Sequence, residues 1–390
     1  MSVFDTLKEW GVTEYRVLDM EDIEAVNLGS SVLATGGGGD PEIGYLYAKR
    51  IFNDGKDFVL IDPRDMPDDG LCTAAICLGS PLVLTEKPLS DTVLIDCVRA
   101  LEQYLGHRMD ALIPGECGGI NSILTYAVAA ALDIPVIDAD GINRAFPRID
   151  QTSWSIHGAL ATPIASADNG GETTIIDTKG NNAMAEDIAR KVSMAYGGIS
   201  WACIYPMTGR VMKDTSVLNS QSIAWEVGKA VLQARKKHLR PIPEIKKALK
   251  AVRGVDCYDV FEGKVVDINR DFGSEATKGF TMGKITMEGI NAYKGQTATL
   301  RFQNEWLLFE VDGIVKCLPP DLIALLDTDT GEPIRSDIVK YGYRGTVLLI
   351  PVHERMRAEH GFAAVGPRAF GFDYDYIPLE ELMAREQAGS

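Results

Sequence analysis

Along the first half of the chain, short apolar runs alternate with stretches in which apolar residues recur at helical spacing, a pattern that predicts an α/β sheet of mainly parallel strands. The run SVLAT, Ser31 to Thr35, leads into four consecutive glycines, and beyond them Ile43, Leu46, Tyr47 and Ile51 keep a helical period. A strand, a glycine turn and a helix are therefore expected there, with Asp40 as N-cap and Pro41 in the first helical position. TAAICLGSP reads as a strand ending at Gly79 and Ser80. A helix opened by Ser90 or Asp91 then carries Leu94, Val98, Leu101 and Leu105 and stops at Gly106. DALIPGECGGINS repeats strand, glycine loop and helix, with Asn121 as expected N-cap, and IPVIDADG and ATPIASADNGG follow. Helices are predicted from Asn182 to Tyr196 and from about Thr215 to Lys237. From Val255 onward, β-branched and aromatic runs separated by glycine turns predict an antiparallel β-rich unit: YDVFEGKVVDI, GFTMGKITMEG, QTATLRFQNEWLLFEVDG and GTVLLIPV.

This change of texture divides the 390 residues into an α/β ligand-binding domain over 1–190 and a C-terminal α+β domain over 191–390, its helical connection at 191–250 and its β-rich unit at 251–390. Hydrophobic residues make up 46% and charged residues 24%, as in ordinary soluble globular proteins. With 39 basic against 55 acidic residues the net charge is −16, a surface that repels nucleic-acid backbones and anionic lipid; neither partner is expected. The start MSVFDTLKEW lacks the basic and apolar regions of a signal peptide. Seven scattered cysteines without a CxxC pair fit a reducing cytoplasm. A homo-oligomer is an option.

Polar and glycine-rich clusters fall where the predicted parallel strands end: Gly36 to Asp40, Gly79 and Ser80, Gly115 to Asn121, Asp138 to Arg144, and Ser166 to Gly171. In open α/β sheets ligands bind outside the carboxyl ends of the strands, so these segments are expected to wall one pocket. GGGGDP has no lysine of a phosphate loop, and no nucleotide cofactor is expected. Glu116 is a candidate general base or metal ligand, or else complements a helix dipole at the surface. Asp138 and Asp140 in DADG suit acid/base work or a hard cation, or else close a turn at Gly141. Of the five histidines, His157 lies between two pocket segments and is the candidate for chemistry. A zinc or other divalent ion is an option through Cys117, His157 and the nearby aspartates. HERMR at His353 has Arg357 where a zincin has its second histidine.

At TGGGGDP, GECGGINS, DADGINRAFP, FQNEWL, PPDLI with TGEPI, and VGPRAFGFDYDYIPL, the chain resembles the S-methyl thiohydantoin desulfurase family over about Leu18 to Leu379. The resemblance implies an N-terminal α/β domain, a β-rich C-terminal domain, and hydrolysis of an S-methylated thiohydantoin bearing a propionate arm to the hydantoin and methanethiol, in the breakdown of sulfur-containing histidine betaines. Such a reaction sets the expected roles. Cys117, Asp138 and His157 would hold a metal whose bound water, with a pKa near ~7, attacks the ring, while Glu116 or Asp140 moves the proton. Gly36, Gly37, Gly38, Gly39, Asp40, Gly118, Gly119, Asn121 and Asp168 would bind the carboxylate-bearing ring, with a guanidinium from Arg144 or Arg368. A hydrolase of hydantoin or oxoproline amides and a non-catalytic ring-binding subunit are the alternatives.

Overall fold

The computed structural model describes residues 2–79, 81–87, 90, 92–272 and 280–389. Ten strands belong to the first two-thirds of the chain: β1 (Arg16–Leu18), β2 (Phe58–Ile61), β3 (Leu71–Gly79), β4 (Ala111–Ile113), β5 (Val136–Ile137), β6 (Ala139–Asp140), β7 (Ile164–Ala167), β8 (Thr173–Ile176), β9 (Ile199–Thr208) and β10 (Val217–Leu218). Eight of them form one sheet in the order β1-β2-β5-β4-β3-β9-β7-β8, and β6 pairs separately with β10. Only β2–β5, β5–β4 and β4–β3 are parallel; the other ladders run antiparallel, so the sheet is mixed rather than mainly parallel. The cause lies in ISWACIYPMT, a run without a clear alternation that forms β9 and inserts antiparallel between β3 and β7.

The stretch before the glycines is helical. Met20–Leu33 is one helix, opened by a capping box between Asp19 and Asp22, and SVLAT is its last turn and exit. Leu28 through Leu33 are all buried, so this end of the helix has no polar face and mimics a buried strand. Its neighbour is the helix Ser220–Lys236. Backbones meet at Gly29 and Gly228, where a Cβ would overlap the main chain of Ala224 and Ala25 respectively. The glycine turn thus joins two helices, the second being Pro41–Asn53 with Asp40 at its N-cap. That helix buries Gly44, Tyr47, Ala48 and Ile51, while Leu46 faces out.

Helix Val93–Leu105 is stopped by Gly106 in the left-handed conformation, with Thr92 at its N-cap; Asp91 and Ser80 lie outside the described residues. Helix Gly119–Leu132 starts from Gly118, which places Asn121 inside the first turn rather than at the cap. Helices Asn182–Ala195 and Pro241–Arg253 complete the layers used below.

The remaining strands are β11 (Tyr258–Phe272), β12 (Thr281–Gly289), β13 (Thr297–Gln303), β14 (Glu305–Val311), β15 (Ile314–Cys317), β16 (Leu322–Asp327) and β17 (Arg344–Ile350). They form an antiparallel sheet in the order β15-β14-β13-β12-β11-β17-β16, the β-rich unit expected from β-branched and aromatic runs between glycine turns. One apolar cluster joins the two halves, with Leu33, Cys117 and Phe146 from the first packed with Leu307, Leu326 and Leu348 from the second. Among the described residues no helix is long and apolar enough to cross a membrane.

Candidate active site

The loop after β4 meets the glycine turn backbone to backbone. Gly38, at φ +78°, would place a Cβ 2.6 Å from the Gly118 carbonyl carbon, and Ile120 N–H donates to the Gly38 carbonyl at 2.8 Å. Gly119, at φ +46°, would drive a Cβ into that same carbonyl. On the other side, a Cβ on Gly36 would overlap the Trp306 indole, and one on Gly37 the Glu305 carboxyl. Trp306 N–H donates to Thr35 O at 2.6 Å and Ser336 N–H to Gly36 O at 3.1 Å. The bare backbone is therefore needed first by protein packing, because helix 119–132 and the β13–β14 hairpin both press on it.

Where these segments meet, a cleft opens beyond the ends of β3 and β4. Its space for water centres is about 80 Å³, several times the ~10–15 Å³ that one water needs. Ile76, Leu78, Leu84, Ile142 and Phe146 give it apolar walls; Glu116, Asn121, Asn304, Glu305, Arg148 and Arg190 supply the polar groups. Glu116 is 8% exposed, and Asn121 Nδ2 donates to its Oε1 at 2.8 Å while Asn121 Oδ1 accepts from Cys77 N–H at 2.8 Å. Burial pushes the Glu116 carboxyl up to about 7, against the hydrogen bond from Asn121, and the nearby Asp140 charge pushes the same way. Glu305 is 3% exposed and its Oε2 has no hydrogen-bond partner. Burial holds it well above the usual carboxylate range, and the Glu116 charge adds to the rise. Arg190 donates from Nε and Nη2 to Glu186 and from Nη2 to Pro147 O at 2.8 Å; Arg148 pairs with Asp150 and Asp187.

Of the five segments expected to wall one pocket, four reach this cleft, through Gly38 and Gly39, Gly79, Gly115 with Glu116 and Asn121, and Ile142, whereas Ser166 to Gly171 does not line it. Gly36, Gly37, Gly118 and Gly119 shape it from behind through the contacts above. Asp40 caps its helix and pairs with Arg335 at 3.0 Å. Asp138 accepts from the first N–H groups of helix 220–236, Gln221 at 3.0 Å and Ser222 at 2.9 Å, and from the Ser222 hydroxyl. Asp140, pushed up to about 7 by burial, accepts from Cys117 N–H and Asn143 N–H, closing the turn. The two aspartates thus face different partners, because β5 breaks off before Asp138 and the chain turns into β6. Arg144 is fully buried and donates to Ala145 O, Pro320 O, Asp321 O, Trp306 O and Thr35 Oγ1. Burial lowers it to about 10, and it braces the two halves of the chain. Asp168 pairs with Lys87, and the exposed Arg368 with Asp373 and Asp375.

The expected metal donors do not converge. Cys117 is sealed in the apolar cluster between the halves, Asp138 is spent on its helix cap, and His157 lies exposed with Nε2 on Arg355 O at 3.1 Å. Among the described residues no group of three or more His, Cys, Asp or Glu side chains is arranged to hold a metal ion. This donor set does not fit a divalent ion. Glu305, Arg148 and Arg190 lie in the cleft although nothing in the sequence pattern places them there. The one available signal for Glu305 is its position in FQNEWL, one of the motifs carrying the family resemblance.

An α/β domain braced against an antiparallel β domain, with two buried carboxyls in a cleft lined by loops of both, defines a two-domain architecture. The S-Me-THD-like N-terminal domain matches residues 21–178 and the S-Me-THD-like C-terminal domain residues 180–379; the chain belongs to this family. A crystal structure of a protein from Chromobacterium violaceum has the same fold, with a TM-score of 0.75 at 18% identity, covering 93% of this chain and 100% of that one. No curated protein matches the chain.

Proposed function

We propose that this chain is a hydrolase of S-alkylated thiohydantoin-type rings, replacing the S-methyl group on the ring carbon by oxygen and releasing methanethiol. The observation that carries this reading is Glu116: a buried carboxyl in a largely apolar cleft, oriented by Asn121, with its proton affinity raised to about 7. A base of that strength deprotonates water at neutral pH while remaining half in its active form. The apolar walls suit a thioether methyl and exclude competing water. A carboxylate arm on the ring would lie toward Arg148 and Arg190, which line the cleft while already paired with Asp150, Asp187 and Glu186, and not toward Arg144 or Arg368.

The test is incubation of the purified protein with an S-methyl thiohydantoin, with and without a propionate arm, while a thiol-reactive dye follows methanethiol. Turnover is expected, and Glu116→Gln should lower kcat by about 10²–10⁴. Ring opening without thiol release would mark an amide hydrolase of the same ring class, and saturable binding without turnover a ring-binding subunit.

A further inference from the structure

The cleft holds a second carboxyl that the base-catalysed step leaves unused. We propose that Glu305 is a catalytic acid: it enters the reaction protonated and delivers its proton to the ring nitrogen as water adds to the sulfur-bearing carbon. This inference rests on the hydrolytic reading above.

The geometry is that of a group held for a purpose. Glu305 opens β14 directly after Asn304, whose φ of +60° turns the β13–β14 hairpin. Asn304 is pinned on both sides, donating to Thr281 O at 2.7 Å and accepting from Thr281 N–H at 2.9 Å through Oδ1, with the Ser336 hydroxyl on its carbonyl. Trp306 is fixed by Thr35 O and by its indole N–H on Ile334 O at 3.2 Å. Between these anchors the Glu305 carboxyl lies over Gly37, where any side chain would collide with it.

Three charged groups face it from other elements: Glu116 from the loop before helix 119–132, Arg144 from the loop after β6, and Arg190 from helix 182–195. Among the described residues neither arginine forms an ion pair with Glu305, since Arg144 spends its N–H groups on Thr35 Oγ1 and backbone carbonyls and Arg190 is taken by Glu186 and Pro147 O. A carboxyl 3% exposed with an unpartnered Oε2 is held neutral, and a neutral carboxyl is a donor.

The cycle balances. Glu116 takes one proton of the water as its oxygen bonds to the ring carbon; the C=N electron pair moves to nitrogen, which takes the Glu305 proton. On collapse, the new hydroxyl returns its proton to Glu305 as C=O forms, the C–S bond breaks with its pair on sulfur, and Glu116 protonates the departing thiolate. Both carboxyls finish as they began, and water has supplied the amide hydrogen and the thiol hydrogen.

The experiment is the pH dependence of kcat for wild type, Glu305→Gln, Gly37→Ala and the double variant, with near-UV circular dichroism confirming a folded chain. Wild type should show a falling alkaline limb. Glu305→Gln should lose that limb and about 10²–10⁴ in kcat with KM altered only a few-fold. Gly37→Ala, which displaces the carboxyl, should lower kcat in the wild type and add nothing in the Glu305→Gln background. A Glu305→Gln enzyme with kcat within threefold of wild type and the limb intact overturns the assignment of Glu305 alone. A wild-type protein that releases no methanethiol overturns the hydrolytic reading and the acid together.

Discussion

Replacing Glu116 by Gln should stabilise the fold at alkaline pH while removing activity. The Gln amide keeps an oxygen for Asn121 Nδ2 and has one acceptor fewer for the Phe146 N–H that Glu116 also accepts from, a cost that does not vary with pH. In the folded chain Glu116 binds its proton with a pKa of about 7, against a reference of 4.5. A raised folded-state value means that the carboxyl favours folding as long as both states are protonated, and that this advantage is lost as pH rises through 4.5 in the unfolded chain toward 7 in the folded one. The difference of about 2.5 pH units corresponds to roughly 3 kcal/mol at 1.36 kcal/mol per unit. Urea unfolding of wild type and variant at pH 4.5 and pH 8 measures it. The variant's stability relative to wild type should rise by about 3 kcal/mol across that interval, with most of the change between pH 5 and 7. Comparing the two chains at each pH cancels the titration of carboxyls remote from Glu116; Asp140 and Glu305, which interact with its charge, contribute to the measured gap. A gap independent of pH would show that Glu116 is not held near neutrality by burial, and would remove the basis for its role as base.

Three further outcomes follow from the same geometry. Gly38→Ala should cost ~2–5 kcal/mol, combining left-handed strain with overlap onto Gly118, whereas Gly55→Ala, at φ +79° with nothing within 4 Å, should cost only the strain of ~1–2 kcal/mol; thermal midpoints of the two variants compare them. Cys77 lines the cleft with its thiol pushed up to about 12 by burial, so methyl methanethiosulfonate should abolish the proposed methanethiol release slowly at pH 7 and faster with rising pH, with protection by the hydantoin product; activity retained after Cys77 is fully labelled would place it outside the substrate's reach. Because Cys117, Asp138 and His157 do not converge, dialysis against a chelator should leave methanethiol release unchanged, and a loss restored by zinc would refute that outcome.

Most elements with their own periodicity were readable from residue order. Helices 93–105, 182–195 and 220–236 carry apolar stripes and β13 alternates, because a half-buried element must show its period, although the third helix starts at Ser220 rather than Thr215, which ends a short helix of its own ahead of the strand Val217–Leu218. SVLAT and ISWACIYPMT were not readable as a helix end and a strand respectively, because an element buried on all sides has no period to show. Among site residues, Glu116 and Asn121 stood out because a carboxylate and an amide flank the glycines of one loop. The sequence by itself determined two unlike halves, a glycine turn and a cluster of polar loops. Only the tertiary structure decided which loops converge, since burial is a property of what packs on a group. It assigned Asp138, Asp140 and Arg144 to bracing and left His157 at the surface. It also brought Glu305 across from the second half of the chain to the cleft of Glu116, through a hairpin docked on Gly36 and Gly37.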